Sequence, residues 1–181
     1  MLTPEAAQLY QVRWDSSSRA WVLPIRDRAG NLLGWQEKDG RFFRNRPRTV
    51  PKSSSVFGLW TVRRGQCVIL VESPLDAVRF RSAGIEGAVS SFGASVSAAQ
   101  CALITNCASA LLLALDNDEA GRRETRRLIA RHPRVMLFNY GGSPAKDPGD
   151  GMTDDELRWG VQNALVPVAW LARQSARAHA G

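Results

Sequence analysis

The chain has 181 residues, 44% of them hydrophobic, enough for one full core or a core with a small lobe. Its net charge of +7 is confined to one end: residues 1–66 hold twelve Arg and Lys against five Asp and Glu, while residues 67–181 hold twelve of each. There is no apolar run long enough to cross a membrane, no signal-peptide start at Met1–Glu5, and no cysteine spacing suited to a disulfide framework or zinc. A cytoplasmic protein without a membrane partner is expected, with Cys67, Cys101 and Cys107 as small buried residues.

A short helix is predicted at Pro4–Leu9. Strands are predicted next at Trp21–Ile25 and Leu32–Gln36, joined through Asp27–Gly30 as a hairpin. The segment Arg41–Lys52 carries five positive charges and no acid, interleaves Phe42 and Phe43, and is kept from helix by Pro47 and Pro51. It reads as a solvated loop or a nucleic-acid contact, and the aromatic neighbours favour contact. Val56–Trp60 is expected to pack this basic, β-rich lobe (residues 1–65) against the remainder of the chain.

From residue 66 to 173 strands and helices alternate. Strands are predicted at Cys67–Val71, Gly87–Ser91, Leu111–Leu115 and Val135–Phe138, and helices at Pro74–Ala83, Ser97–Cys107, Glu119–Arg131 and Asp154–Leu165, the last with Trp159 turned inward. This rhythm requires right-handed crossovers. It implies an α/β fold with about four mostly parallel strands flanked by helices. The tail from 174 to 181 is small, polar and expected to fray.

Parallel strands place their carboxyl ends on one edge, where ligands collect. Glu72 ends the first strand, Asp116 and Asp118 end the third, and Asp147 and Asp150 come after the fourth. An Asp before a helix is often only an N-cap, but five carboxylates on one edge repel one another unless a cation intervenes. A hard divalent metal, Mg2+ (or Mn2+), suits that donor set, with Asp76 one helical turn after Glu72 as an outer group.

Glu72-Ser73-Pro74-Leu75-Asp76, Asp116-Asn117-Asp118-Glu119-Ala120-Gly121-Arg122 and Lys146-Asp147-Pro148-Gly149-Asp150 resemble the three signature segments of the Toprim domain. Leu23–Asp27, Asn31–Gly34, Asn45–Pro47 and Lys52 with Val56–Leu59 resemble, in order, the segment preceding that domain in bacterial and phage replicative primases, and Ala88–Ala94 fits the same alignment. The resemblance covers about Leu23 to Arg158. It implies Mg2+-dependent nucleotidyl transfer from NTPs, making RNA primers on single-stranded DNA. Glu72, Asp116 and Asp118 would be catalytic, with Asp147 and Asp150 joining them on metal. Arg41, Arg44, Asn45, Arg46, Arg48, Lys52 and Lys146 would meet template or nucleotide.

Two departures stand out: Asn117 replaces the usual Gly, and Asp147–Asp150 is one residue longer than the family's Asp-Pro-Asp. The cysteine pattern of the primase zinc module is missing, so a replicative helicase or a separate zinc-bearing subunit is the implied partner. The alternative reading is a small Toprim nuclease or a recombination and repair DNA-binding protein.

Overall fold

A computed structural model describes residues 1–178 except Arg28, Arg41 and Asp150. After helix α1 (Pro4–Leu9), capped by Thr3, the first lobe is an antiparallel meander of β1 (Arg13–Asp15), β2 (Ala20–Arg26), β3 (Leu32–Lys38) and β4 (Phe43–Arg46). The expected hairpin is β2–β3, and Asp27 closes its turn by accepting from the Asn31 backbone and side-chain amides, both at 2.9 Å. Two strands exceed the expectation. β1 is three residues long, too short for alternation to show, and β4 lies inside the segment read as loop or contact, ending where Pro47 can no longer donate to a ladder.

The second sheet contains β5 (Cys67–Val71), β6 (Ala88–Ser90), β7 (Ala110–Leu113) and β8 (Met136–Leu137) in the order β6-β5-β7-β8, with every pairing parallel. Its apolar runs are buried, as strands covered on both faces require. Around it lie α2 (Pro74–Ser82), α3 (Ala98–Thr105), α4 (Glu119–Arg131), α5 (Asp154–Gln162) and α6 (Pro167–Ala178). Ser73, Ser97, Asp118 and Thr153 cap the first four, Ser97 and Thr153 through full capping boxes.

Three expectations are corrected. Trp159 is 47% exposed, because Leu157 and Gly160 form the buried side of α5 and the indole lies over Gly141 instead. Residues 174–178, the described part of the tail, continue a helix that was not expected: α6 begins at Pro167 and buries Trp170 against the sheet, an anchor that composition alone does not reveal. Cys67 is exposed at the open start of β5, and only Cys101 is buried.

Phe57 joins the two sheets. It exchanges backbone hydrogen bonds with Ser90 on β6 at 2.9 and 3.0 Å, and its fully buried ring stacks on Tyr10 at 5.4 Å. Tyr10 donates its hydroxyl to Ala88 O at 2.6 Å. One apolar cluster runs from Leu23 and Ile25 through Phe57 to Ile69 and Val71, so the first lobe is held on a continuous core facing the edge where β5 and β7 end.

Candidate functional site

The edge is built by strand ends that run directly into helix caps. β5 delivers Glu72, and Ser73 then caps α2, which places Asp76 in the first helical turn. Past β7 the chain stays buried through Ala114 and Leu115 before Asp116, and Asp118 caps α4 by accepting from Gly121 N at 2.9 Å. Gly121 is required there: a Cβ would stand 2.1 Å from the Asp116 carbonyl oxygen. The loop after β8 returns Asp147 to the same place, tied down by Asn117 N donating to Lys146 O at 2.6 Å.

Asp76, Asp116 and Asp147 each bring a carboxylate oxygen to within 4.8 Å of the other two. Asp76 is therefore part of the central group rather than an outer one. Glu72 stands beside it, its Oε1 accepting the Asp116 backbone N–H at 3.1 Å. Asp118 is turned to its capping bond and to Lys146, whose Nζ lies 3.6 Å from Asp118 and 3.7 Å from Asp116. Asp150 and Arg41 lie outside the described residues.

The protonation equilibria reflect this crowding. Burial, then the charge of Asp116, pushes Glu72 up to about 7. Burial, then Asp147, pushes Asp116 up to about 6. Burial raises Asp76 well above the usual carboxylate range, with Asp147 and Asp116 adding to it. Its Oδ2 is buried and has no hydrogen-bond partner among the described residues. Asp118 moves the other way, held low first by the Gly121 N–H, and Lys146 is raised first by Asp116. A buried carboxylate oxygen without a donor, inside an all-oxygen set that ionises at a cost, fits a hard divalent cation.

The acids open into a cleft of about 800 Å³ between the two sheets. Lys38, Phe43 and Gln36 of the first sheet also line it, Lys38 Nζ donating to Ser73 Oγ at 3.5 Å, and Lys52 donates to Phe92 O at 3.4 Å. All three lysines of the chain line this cleft; of the arginines described there, only Arg79 does, and it is bound to Asp154 at 2.6 Å and Met152 O at 2.7 Å.

The arginines of the basic segment are placed elsewhere. Arg44 and Arg46 pair in register with Glu37 and Trp35, on the sheet face opposite Lys38 and Phe43. Arg46 is bound to Glu37 at 3.3 Å, and Arg48 is exposed beyond the strand. Asn45 lies on the cleft side, accepting from Gln36 at 3.2 Å. Sequence reasoning missed Lys38, whose signal was its place on the inward register of β3. It also missed Gly149, where a Cβ would meet Asp76 Oδ1 at 2.6 Å.

With this geometry established, comparison with known proteins places the chain. Residues 69–150 match the Toprim-like family. The DNA primase of Borreliella burgdorferi is 31% identical over 140 residues, 68% of this chain and 27% of that protein. The Escherichia coli primase catalytic core superposes with a TM-score of 0.73 at 18% identity, over 96% of this chain and 73% of that one. The primase fragment of the bacteriophage T7 primase-helicase protein superposes with a TM-score of 0.69 at 21% identity, over 88% and 71%. The two superpositions establish a common fold. Residues 69–150 are similar to the Toprim-like family, and the chain is similar in sequence to a segment of bacterial DNA primases. It spans about a quarter of the length of the curated relatives it matches.

Proposed function

We propose that this chain catalyses primase-type nucleotidyl transfer, joining NTPs into a short RNA on a single-stranded DNA template with Mg2+ (or Mn2+). One observation carries the reading: Asp76, Asp116 and Asp147 converge in a cleft that Lys38 and Lys52 also line, with Lys146 beside the acids at 3.7 Å from Asp116. Carboxylates and lysines lining one cleft suit a metal-bound triphosphate, the acids taking the cation and the ammonium groups the phosphates. The metal would be held by Asp76, Asp116 and Asp147, and when bound it neutralises phosphate charge. In the reaction a 3′-hydroxyl oxygen bonds to the α-phosphorus, the bond to the bridging oxygen breaks, and pyrophosphate leaves.

We assign the hydroxyl proton to Glu72, supported by burial and the Asp116 charge pushing its carboxyl up to about 7 in the metal-free protein. The name of the T7 neighbour, a primase-helicase protein, supports a replicative helicase as partner; a zinc-bearing subunit is the other candidate.

The test is incubation of the full chain with single-stranded DNA, labelled NTPs and Mg2+, with an Asp116→Asn control. Oligoribonucleotides that need Mg2+ and vanish in the variant are expected. Shortening of the template without NTP incorporation would instead establish the nuclease reading.

A further inference from the structure

One row of side chains crosses the whole first sheet. Trp14 on β1 is paired in register with Trp21 on β2, Trp21 with Lys38 on β3, and Lys38 with Phe43 on β4. Directly opposed residues in antiparallel strands project to the same face, so these four form one line. The Trp14 and Trp21 rings meet edge to face at 5.5 Å, and the Lys38 ammonium lies 5.3 Å from the Phe43 centroid. At the β4 end the row enters the cleft, because Lys38 and Phe43 line it.

Cross-strand aromatic pairs often serve only to stabilise a sheet. Trp21 does that, packing on the core, but Trp14 is 52% and Phe43 59% exposed. Such rings at both ends of a row, with a cation between them and no acid in the line, make a poor core and a good platform for unpaired bases. Three inter-strand spacings of about 4.8 Å give a length of about 14 Å. That accommodates a few nucleotides of an extended strand.

We propose that the row Trp14–Trp21–Lys38–Phe43 is the track on which the bases of the single-stranded DNA template stack as they approach the acidic cluster. This rests on the nucleotidyl-transfer reading and assigns its template path to base stacking on the cleft side of the sheet. The arginines on the opposite face do not form that path. Lys38, between the rings, supplies the charge that keeps a polyanion there.

The test measures binding of fluorescent oligo(dT) to the full chain across a salt series, with wild type, Trp14→Ala, Trp14→Tyr and Phe43→Ala. Trp14 is outside the cleft and half exposed, and circular dichroism verifies that each variant is folded. Removing a stacking ring is expected to weaken binding at least about fivefold, the low end for one base on one aromatic. The slope of log affinity against log salt should stay unchanged, because no phosphate contact is lost. Trp14→Tyr should recover most of the affinity. A second arm needs no variant: abasic positions in the oligonucleotide should weaken wild-type binding while keeping every phosphate.

Unchanged affinity in Trp14→Ala, a flattened slope, or indifference to abasic positions each overturns the track. Tighter binding of oligo(rU), with only that complex sensitive to Trp14→Ala, would assign the row to the RNA product and also overturn it. Failure of NTP incorporation with the stacking signature intact would sink the catalytic reading and leave the track standing, so the two are separable.

Discussion

The metal-free protein should become less stable as pH rises from the ordinary carboxylate range through neutrality. Glu72 is raised from 4.5 to about 7 and Asp116 from 3.8 to about 6, so the folded chain holds protons that the unfolded chain has already released. Below the ordinary values both states are protonated and neither group matters. Between the two sets of values the folded state ionises late, and above pH 7 the full cost of crowding charge is present. For Glu72, 8% exposed, that cost is on the order of 3 kcal/mol. The value for Asp116 is similar but is not added, since the two repel each other and titrate as a pair.

For a chain of this size the loss corresponds to a fall in Tm of about 6–12 °C. Carboxylates held low, such as Asp118, act in the opposite sense at lower pH. The useful quantity is therefore the difference between wild type and Glu72→Gln or Asp116→Asn, melted in chelator from pH 4.5 to above pH 7. Above pH 7 the Asp116→Asn protein should melt higher than wild type, and added Mg2+ should close the gap by raising wild type alone. A difference that stays flat across the window, or an Asp116→Asn protein that is the less stable above pH 7, would refute the reasoning and leave Asp116 a structural residue.

Four further outcomes are expected. Gly121→Ala places its Cβ 2.1 Å from Asp116 O, a backbone atom that cannot swing away, and should cost about 1–3 kcal/mol in urea melts. Gly142→Ala, with nothing within 4 Å, should stay within about 0.5 kcal/mol of wild type. Gly149→Ala meets Asp76 Oδ1 at 2.6 Å and Asp147 Oδ1 at 3.3 Å; these are side-chain tips, so the fold should survive while the Mg2+-induced rise in Tm shrinks. Lys52→Ala should weaken NTP binding in a fluorescence titration, whereas Arg44→Ala with Arg46→Ala, on the opposite sheet face, should leave it unchanged.

The parallel sheet was legible because its strands are unbroken apolar runs between capped helices, and a residue such as Leu70 or Leu112 has one way to be buried. The acidic edge came with the sheet, since parallel strands end together. What the sequence hid depends on the other lobe. β4 reads as a basic loop because an edge strand needs only one partner and keeps its arginines in solvent. Which of its side chains face the acids is decided by register: Phe43 and Asn45 lie on one face and Arg44 and Arg46 on the other, and a shift of one residue would exchange them. The promotion of Asp76 to the central group was hidden similarly, because it depends on α2 beginning immediately after Glu72 and on a Gly149 loop thin enough to lie against the Asp76 carboxylate.

The use of lysine in the cleft of a chain with 21 arginines and three lysines has a physical reading. An arginine reaching Asp116, Asp118 or Asp147 would bind carboxylate oxygens in pairs through its rigid fork, and the ion pair would close the site to any other cation. Lys146 instead lies 3.7 Å from Asp116 and 3.6 Å from Asp118, beyond a good hydrogen bond to either, on a side chain 58% exposed. A single ammonium so loosely held offsets part of the repulsion and can turn toward an incoming phosphate when another cation arrives. Two of the neighbouring acids are already satisfied by the backbone, Glu72 by Asp116 N–H and Asp118 by Gly121 N–H. The carboxylate oxygens left for an incoming cation are thereby those of Asp76, Asp116 and Asp147, the three that converge.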